Sequence, residues 1–393
     1  MFEREHLTPK IQLAALRDQL VTWLVDDAYP TWAQHGIDPC NSGFVETLDQ
    51  NALPIPSPRR ARVQPRQIYS FALAGQFGWR GDVAGIVRHG INYFTNHYCR
   101  ADGLFRTLVD VDGVPLDEQA LLYDQAFALL GLASAATTLD ARAEFEPQAL
   151  TLRHAIEQRF RASNAGFIAS EAATSQRESN PHMHLLEACL AWAAIGNDAG
   201  WADWAEDIVE LAMTHFIHAP ASALGEFFAE SWQPAPGLAG RIVEPGHQFE
   251  WAWLLLRSTR NNVAARRAAA LKLVNIGEHS GVRDGVAINT LLDDLSVHDA
   301  NARLWPQTER IKAAALAAQL TAQPQYWSMA VAAIEGLLPY LNTPTRGLWF
   351  DMRLANGTLV NGPAPASTFY HVVCAIEVLD AALRASAISK DPT

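Results

Sequence analysis

Prolines that open or precede helical runs fall at Pro65, Pro181, Pro245, Pro306 and Pro365, with separations of 116, 64, 61 and 59 residues. Proline suits the first turn of a helix, where the amide it lacks would have had no intrahelical partner. The first gap is about twice the others. Halving it predicts a sixth helix start near residue 123, where Leu121-Leu-Tyr-Asp-Gln-Ala-Phe-Ala-Leu-Leu130 supplies a helical run without its proline. Six units of roughly 60 residues fill the chain, each long enough for two helices and a connection. One helix pair cannot bury its own apolar face, so such units stack on one another. The closed form is an all-α (α/α)6 barrel, and an open superhelix is the alternative. No linker rich in Gly, Ser or charge divides the chain, which predicts a single domain over residues 1–393.

Apolar residues recur at three- and four-residue intervals in Ile11 to Leu24, Ala120 to Ala136, Leu185 to Ile195, Trp251 to Arg257, Ala264 to Ile276, Ile311 to Leu320 and Met329 to Leu341, a helical period. Two strand-like segments interrupt them, Leu104 to Gly113 and Leu348 to Gly357, each ending in Asp-Gly or Asn-Gly. Those pairs signal β-hairpins between helices. The charged opening of the chain and the lack of an apolar run near 18 residues point to a cytoplasmic protein without a membrane span. A net charge of −12 without a basic stripe argues against nucleic acid or an acidic membrane as partner. Cys40, Cys99, Cys189 and Cys374 lack C-x-x-C spacing, so buried thiols are expected rather than a disulfide framework or structural zinc.

Polar residues follow the same anchors: Arg66 and Tyr69; Asn180, His182 and His184; His247 and Glu250; Gln307 and Glu309; Tyr370 and His371. In a barrel, helix starts from all units share one mouth. These side chains would converge on a pocket walled by Tyr123, Trp251 and Trp305, suited to a small neutral sugar. His247 and Glu250, at i and i+3, share a helix face. The helix dipole there would disfavour an imidazolium and keep His247 a neutral base. That motif alone is equally compatible with a capped structural helix. His182 and His184 lie two apart and do not share a face, so one of them is expected to reach the pocket. Neither they nor His215 with His218 have an H-E-x-x-H context, and no metal or other cofactor is expected.

Four motifs and a terminal pair resemble the N-acylglucosamine 2-epimerase superfamily of sugar epimerases and isomerases: Gln64-Pro-Arg-Gln-Ile-Tyr69, Asn180-Pro-His-Met-His184, Glu244-Pro-Gly-His-Gln-Phe-Glu-Trp251, Trp305-Pro-Gln-Thr-Glu309, and Tyr370-His371. They run in the family's order over nearly the whole chain. The resemblance implies a six-hairpin α/α barrel and a metal-free site, with His247 and His371 exchanging protons with the sugar. It also implies substrate contacts from Arg66, Tyr123, Asn180, His184, Glu250 and Trp305, to which the helix-start pattern adds Gln307.

Removing the C2 proton of a ring-opened aldose needs a base at that carbon and positive charge where the enediolate develops. His371 is the candidate base and Arg66 the candidate stabiliser. Returning the proton to C1 gives a ketose; delivery by His247 to the opposite face of C2 gives the epimer. Cellobiose-type epimerases resemble one another in a tryptophan five residues before the terminal histidine, and here that position is Ala366. The segment is more similar to the mannose and sulfoquinovose isomerase branch. The expected function is therefore mannose–fructose isomerisation, by a monomer or homodimer. The alternatives are 2-epimerisation, a non-catalytic carbohydrate- or protein-binding module, and a glycosidase using two of Asp124, Glu250 and Glu309.

Overall fold

The computed structural model describes residues 9–172, 176–218 and 221–388. Among them the chain forms α1 (Pro9–Thr22), α2 (Tyr29–His35), α3 (Val63–Ala72), α4 (Ala74–Phe77), α5 (Val83–Tyr98), α6 (Leu122–Thr138) and α7 (Arg142–Phe160). It continues with α8 (Ser179–Ile195), α9 (Gly200–Leu211), α10 (Pro245–Arg257), α11 (Val263–Gly281), α12 (Trp305–Thr321), α13 (Pro324–Leu341) and α14 (Ala366–Ile388). A π-helical turn, Trp23–Ala28, joins α1 to α2.

The helices α3, α6, α8, α10, α12 and α14 pack in that order, and α14 returns against α3 to close a ring. Their starts fall near 60-residue intervals, with the proline-free one at Leu122. The helices α5, α7, α9, α11 and α13 pack outside α3, α6, α8, α10 and α12, while α1 lies against α13 and α14. This is the (α/α)6 barrel. Composition separates the layers. In α10 every residue from Pro245 to Leu256 is buried, the mark of a helix enclosed on all sides. The outer α9 instead buries one face through Trp201, Ala205, Ile208 and Val209. The helix α14 is long and apolar enough to cross a membrane, but 83% of that stretch is buried inside the protein. Cys189 and Cys374 are buried; Cys40 and Cys99, contrary to expectation, are exposed, because they lie in a turn and at a helix end outside the ring.

Short antiparallel rungs join neighbouring units. The residues before each inner helix pair with the segment that follows the next outer helix: Arg59–Arg60 with Leu108–Val109, Arg177–Glu178 with Phe227–Phe228, and Ile242–Val243 with Leu291–Leu292. Ala302–Arg303 pairs likewise with Met352–Arg353, and Leu121 bridges Ser170. The last rung joins the two halves of the protein, Thr47–Leu48 with Ala364–Pro365. Both expected hairpins take part. Leu108–Val109 turns back through Gly113 onto Pro115–Asp117, while Met352–Arg353 makes its main pairing with Ala302–Arg303 and closes on itself only by the Arg353–Leu359 bridge.

Four of the connections are pinned by buried carboxamides. Gln64 bonds both the N–H and the carbonyl of Phe44, and Gln125 does the same for Phe105, Gln248 for Leu224 and Gln307 for Ala287. His182 fills a related place, accepting from Phe167 N–H at 2.9 Å.

Close packing of α3 on α6 depends on Gly131, where a Cβ would lie 2.6 Å from Pro65 Cβ. Gly131→Ala is expected to destabilise the fold by about 1–3 kcal/mol through overpacking, measured by urea unfolding.

Candidate active site

The six helix starts enclose a cavity of about 350 Å³, within the range of small-molecule sites. Arg66 from α3, Tyr123 from α6, and Asn180 with His184 from α8 line one side; His247 and Glu250 from α10, Trp305 from α12 and His371 from α14 line the other. Of the expected contact residues, Gln307 is not among the lining: its carboxamide is consumed by Ala287. Trp251 is likewise buried in the wall and not at the cavity, packed on Phe216. Tyr69 points to the barrel's opposite end, where it lines a second cavity with Glu187 and Glu377. Of the two α8 histidines only His184 reaches the pocket, since both ring nitrogens of His182 are held by the backbone of Phe167 and Glu178. Asp124 is tied to Arg62 at 2.8 Å and Glu309 to His371, so two carboxylates of the glycosidase reading are already committed.

His247 and His371 pack against one indole, their ring centroids 5.1 and 5.7 Å from that of Trp305. Gly246 permits this, because a Cβ there would stand 2.4 Å from the Trp305 ring. Each imidazole has a carboxylate behind it. His247 Nδ1 lies 2.8 Å from Glu226 Oε2, on the loop after α9, and 3.9 Å from Glu244. His371 Nδ1 lies 2.8 Å from Glu309 Oε1. With Nδ1–H donated to a carboxylate, each ring presents Nε2 as its free nitrogen.

The two rings carry opposite charge preferences. Burial lowers the His247 pKa, but the Glu226 and Glu244 carboxylates outweigh it and push the group up to about 9. His247 is thus an imidazolium near neutral pH, not the neutral base that the helix dipole alone implies; two near carboxylates overwhelm half a dipole charge. His371 goes the other way. Burial, then the Arg66 and Lys312 charges, hold it well below 6.5.

Below the histidines lies a charged cluster that the motifs did not announce. Lys312, fully buried, sits 2.5 Å from Glu309 Oε2, 3.8 Å from Glu250 Oε1 and 3.9 Å from the centroid of the Trp253 ring. Glu187 accepts the Tyr370 hydroxyl and lies 3.7 Å from His184. Burial and the Glu309 charge push Glu250 up to about 7. Both Glu250 oxygens and Asn180 Oδ1 are buried without a hydrogen-bond partner among the described residues, capacity that a sugar's hydroxyls would use. His184, Glu187 and Glu250, and again Glu250, Glu309 and His371, bring ligand atoms within 4.8 Å of one another. The Lys312 ammonium already supplies the positive charge to which the second group converges. A signal existed for this residue: Lys312 follows Glu309 by one turn inside an alanine-rich buried helix, where an uncompensated charge would be costly. None existed for Glu226, which approaches from another unit.

Residues 43–375 match the family model described as N-acylglucosamine 2-epimerase. The chain is 46% identical over 376 residues to "Mannose-6-phosphate isomerase" of Rhizobium meliloti (strain 1021), covering 93% of this chain and 97% of that one. It is 30% identical over 223 residues to "D-mannose isomerase" of Pseudomonas cannabina pv. alisalensis, about half of each chain. A crystal structure of D-mannose isomerase superposes with a TM-score of 0.83 at 22% identity, covering 94% and 97% of the two chains, a likeness of fold.

Two outcomes are expected. In Glu226→Gln the pKa of His247, read from ring ¹⁵N shifts, falls from its parent value by about one to three units. Gln307→Ala lowers unfolding free energy by about 1–3 kcal/mol through unpaired backbone groups, while sugar affinity stays within about twofold.

Proposed function

The chain belongs to the N-acylglucosamine 2-epimerase family and is an aldose–ketose isomerase, and on that premise we propose that it interconverts D-mannose and D-fructose in their ring-opened forms. The observation that carries this reading is the pair of buried imidazoles against a single indole, each backed by a carboxylate at 2.8 Å, with Glu226 and Glu244 pushing His247 up and burial, Arg66 and Lys312 holding His371 down.

His371 Nε2 takes the C2 proton, and the C2–H electron pair becomes the C1–C2 double bond of an enediol. His247 gives its proton to the former aldehyde oxygen O1 and, now neutral, takes the proton from O2. His371 returns its proton to C1 as the carbonyl forms at C2, so each histidine ends in its starting state. Arg66 faces no carboxylate within ion-pair distance among the described residues; its guanidinium donates to the Tyr123 hydroxyl and rests 4.2 Å from the centroid of the Phe127 ring. Its charge remains available to the oxygen on which negative charge develops. Glu250 and Asn180 hold hydroxyls farther along the sugar.

A neutral hexose is favoured because the arginines at the mouth are already matched, Arg60 by Glu46 at 2.8 Å and Arg303 by Glu244 at 3.1 Å. A phosphorylated substrate is the second reading, favoured by the name of the Rhizobium relative. Ala366 is buried, with its carbonyl accepting Gln67 Nε2 at 2.6 Å. It offers no aromatic platform for a second sugar ring.

The test is turnover in deuterated water followed by NMR. D-mannose should yield D-fructose, with kcat/KM for mannose above that for mannose 6-phosphate by at least about tenfold. Glucose without fructose would make the enzyme a 2-epimerase, and a preference for the phosphate ester would overturn the neutral substrate. His371→Ala should lose about 10³-fold or more in kcat and in C2 exchange with its melting temperature retained.

A further inference from the structure

Lys312 takes no part in the scheme above, yet it is the charge on which the base's partner rests. A buried ion pair is a weak source of stability, since burying both ions costs about what their attraction returns and an apolar pair of the same volume often does as well. The placement of Lys312 is asymmetric in a way that stability does not require. Two carboxylates share its ammonium, Glu309 at 2.5 Å and Glu250 at 3.8 Å. Two neighbouring carboxylates resist ionising together, and the nearer one to the cation ionises first. Glu309 turns its other oxygen to His371, 2.8 Å away.

We propose that Lys312 is a positioning residue for the isomerisation: it keeps Glu309 a carboxylate, which holds the His371 Nδ1–H and leaves Nε2 as the lone pair that meets C2. The inference rests on His371 being the base. The same asymmetry leaves Glu250 as the carboxyl that carries a proton and donates to a substrate hydroxyl. Charged and titratable groups face this cluster from every inner helix that bears on it: Arg66 and Tyr69 from α3, Glu187 and His184 from α8, Glu250 and His247 from α10, and Tyr370, Cys374 and Glu377 from α14. Burial drives Glu309 upward, and the Lys312 ammonium beside it pulls it back down. Burial raises the Cys374 thiol to about 12, so it brings no competing charge near neutral pH. Glu187 is opposed by burial but held down at about 2 by His184, Lys312 and Tyr370; its negative charge supports the ammonium from the floor of the site.

The experiment compares the parent with Lys312→Met, Glu309→Gln and the double variant on D-mannose, as pH profiles of kcat and KM. Removing the cation raises the Glu309 pKa, so in Lys312→Met the acid limb of kcat moves to higher pH by about one unit or more. At neutral pH kcat falls by at least about tenfold while KM changes by less than about threefold. In the Glu309→Gln background the same substitution costs less than about threefold, because the group through which Lys312 acts is gone. The double variant buries no unpaired carboxylate at position 309, so this comparison survives if Lys312→Met alone does not fold. An unmoved acid limb, or losses that multiply in the double variant, would overturn the role of Lys312. Full activity in His371→Ala would overturn the base assignment instead.

Discussion

A helix enclosed on every side can carry a polar side chain only where another polar group meets it or where a cavity opens. Six such helices form the inner wall of this barrel, and that restriction sorts their polar residues into two sets. One set pins the connections: the carboxamides of Gln64, Gln125, Gln248 and Gln307 each satisfy a backbone N–H and carbonyl of a neighbouring hairpin. The other set turns to the axis, where Arg66, Asn180, His184, Glu250 and His371 share the cavity. The site is where a closed ring of apolar helices leaves room for polar chemistry.

Within that ring the local sequence does not decide protonation. His247 and His371 both stand near the start of an inner helix, both pack on Trp305 and both point Nδ1 at a glutamate. Their charges diverge because of what lies beyond. His247 faces Glu226 and Glu244 with Arg303 paired off at the rim, whereas His371 looks onto Arg66 and Lys312. An acid and a base from one residue type are what an aldose–ketose interconversion needs, since one proton moves between carbons and another between oxygens. The barrel supplies them by setting unlike neighbours around a nearly symmetric frame.

The period of helix-opening prolines made the frame legible, because proline is tolerated in a helix chiefly in its first turn and so marks a start. It located five inner helices, and the interval located the sixth at Leu122. The hairpin turns were only partly legible. Six of them among the described residues share a backbone bond from residue i to i+4 with a left-handed residue before its end, yet only Gly103, Gly113 and Gly357 announce it; Ala52, Trp232 and Leu295 adopt the same conformation at φ near 62 to 64°. Gln307 was misread for a related reason: a polar residue at a helix start looks the same in sequence whether it faces the cavity or the connection. Glu226 carried no local sign, since its partner His247 lies 21 residues away; Glu187 had a local sign only in His184 one turn before it, while the hydroxyl it accepts, that of Tyr370, lies 183 residues away.

Closure of the ring and assembly of the site are one event. The join between the two halves of the protein runs where α14 meets α3: Ala366 N–H donates to the Glu46 carbonyl, Gln67 to Ala366, and Arg66 to the carbonyl of Ser367. The base on α14 and the guanidinium on α3 therefore face each other only once the last unit has docked on the first. An open superhelix of the same six units would keep His247 beside Glu226, which lie in adjoining units, but would separate His371 from Arg66 by the length of the array. The charge that depresses His371 comes partly from Arg66, so the neutral state of the base itself depends on closure.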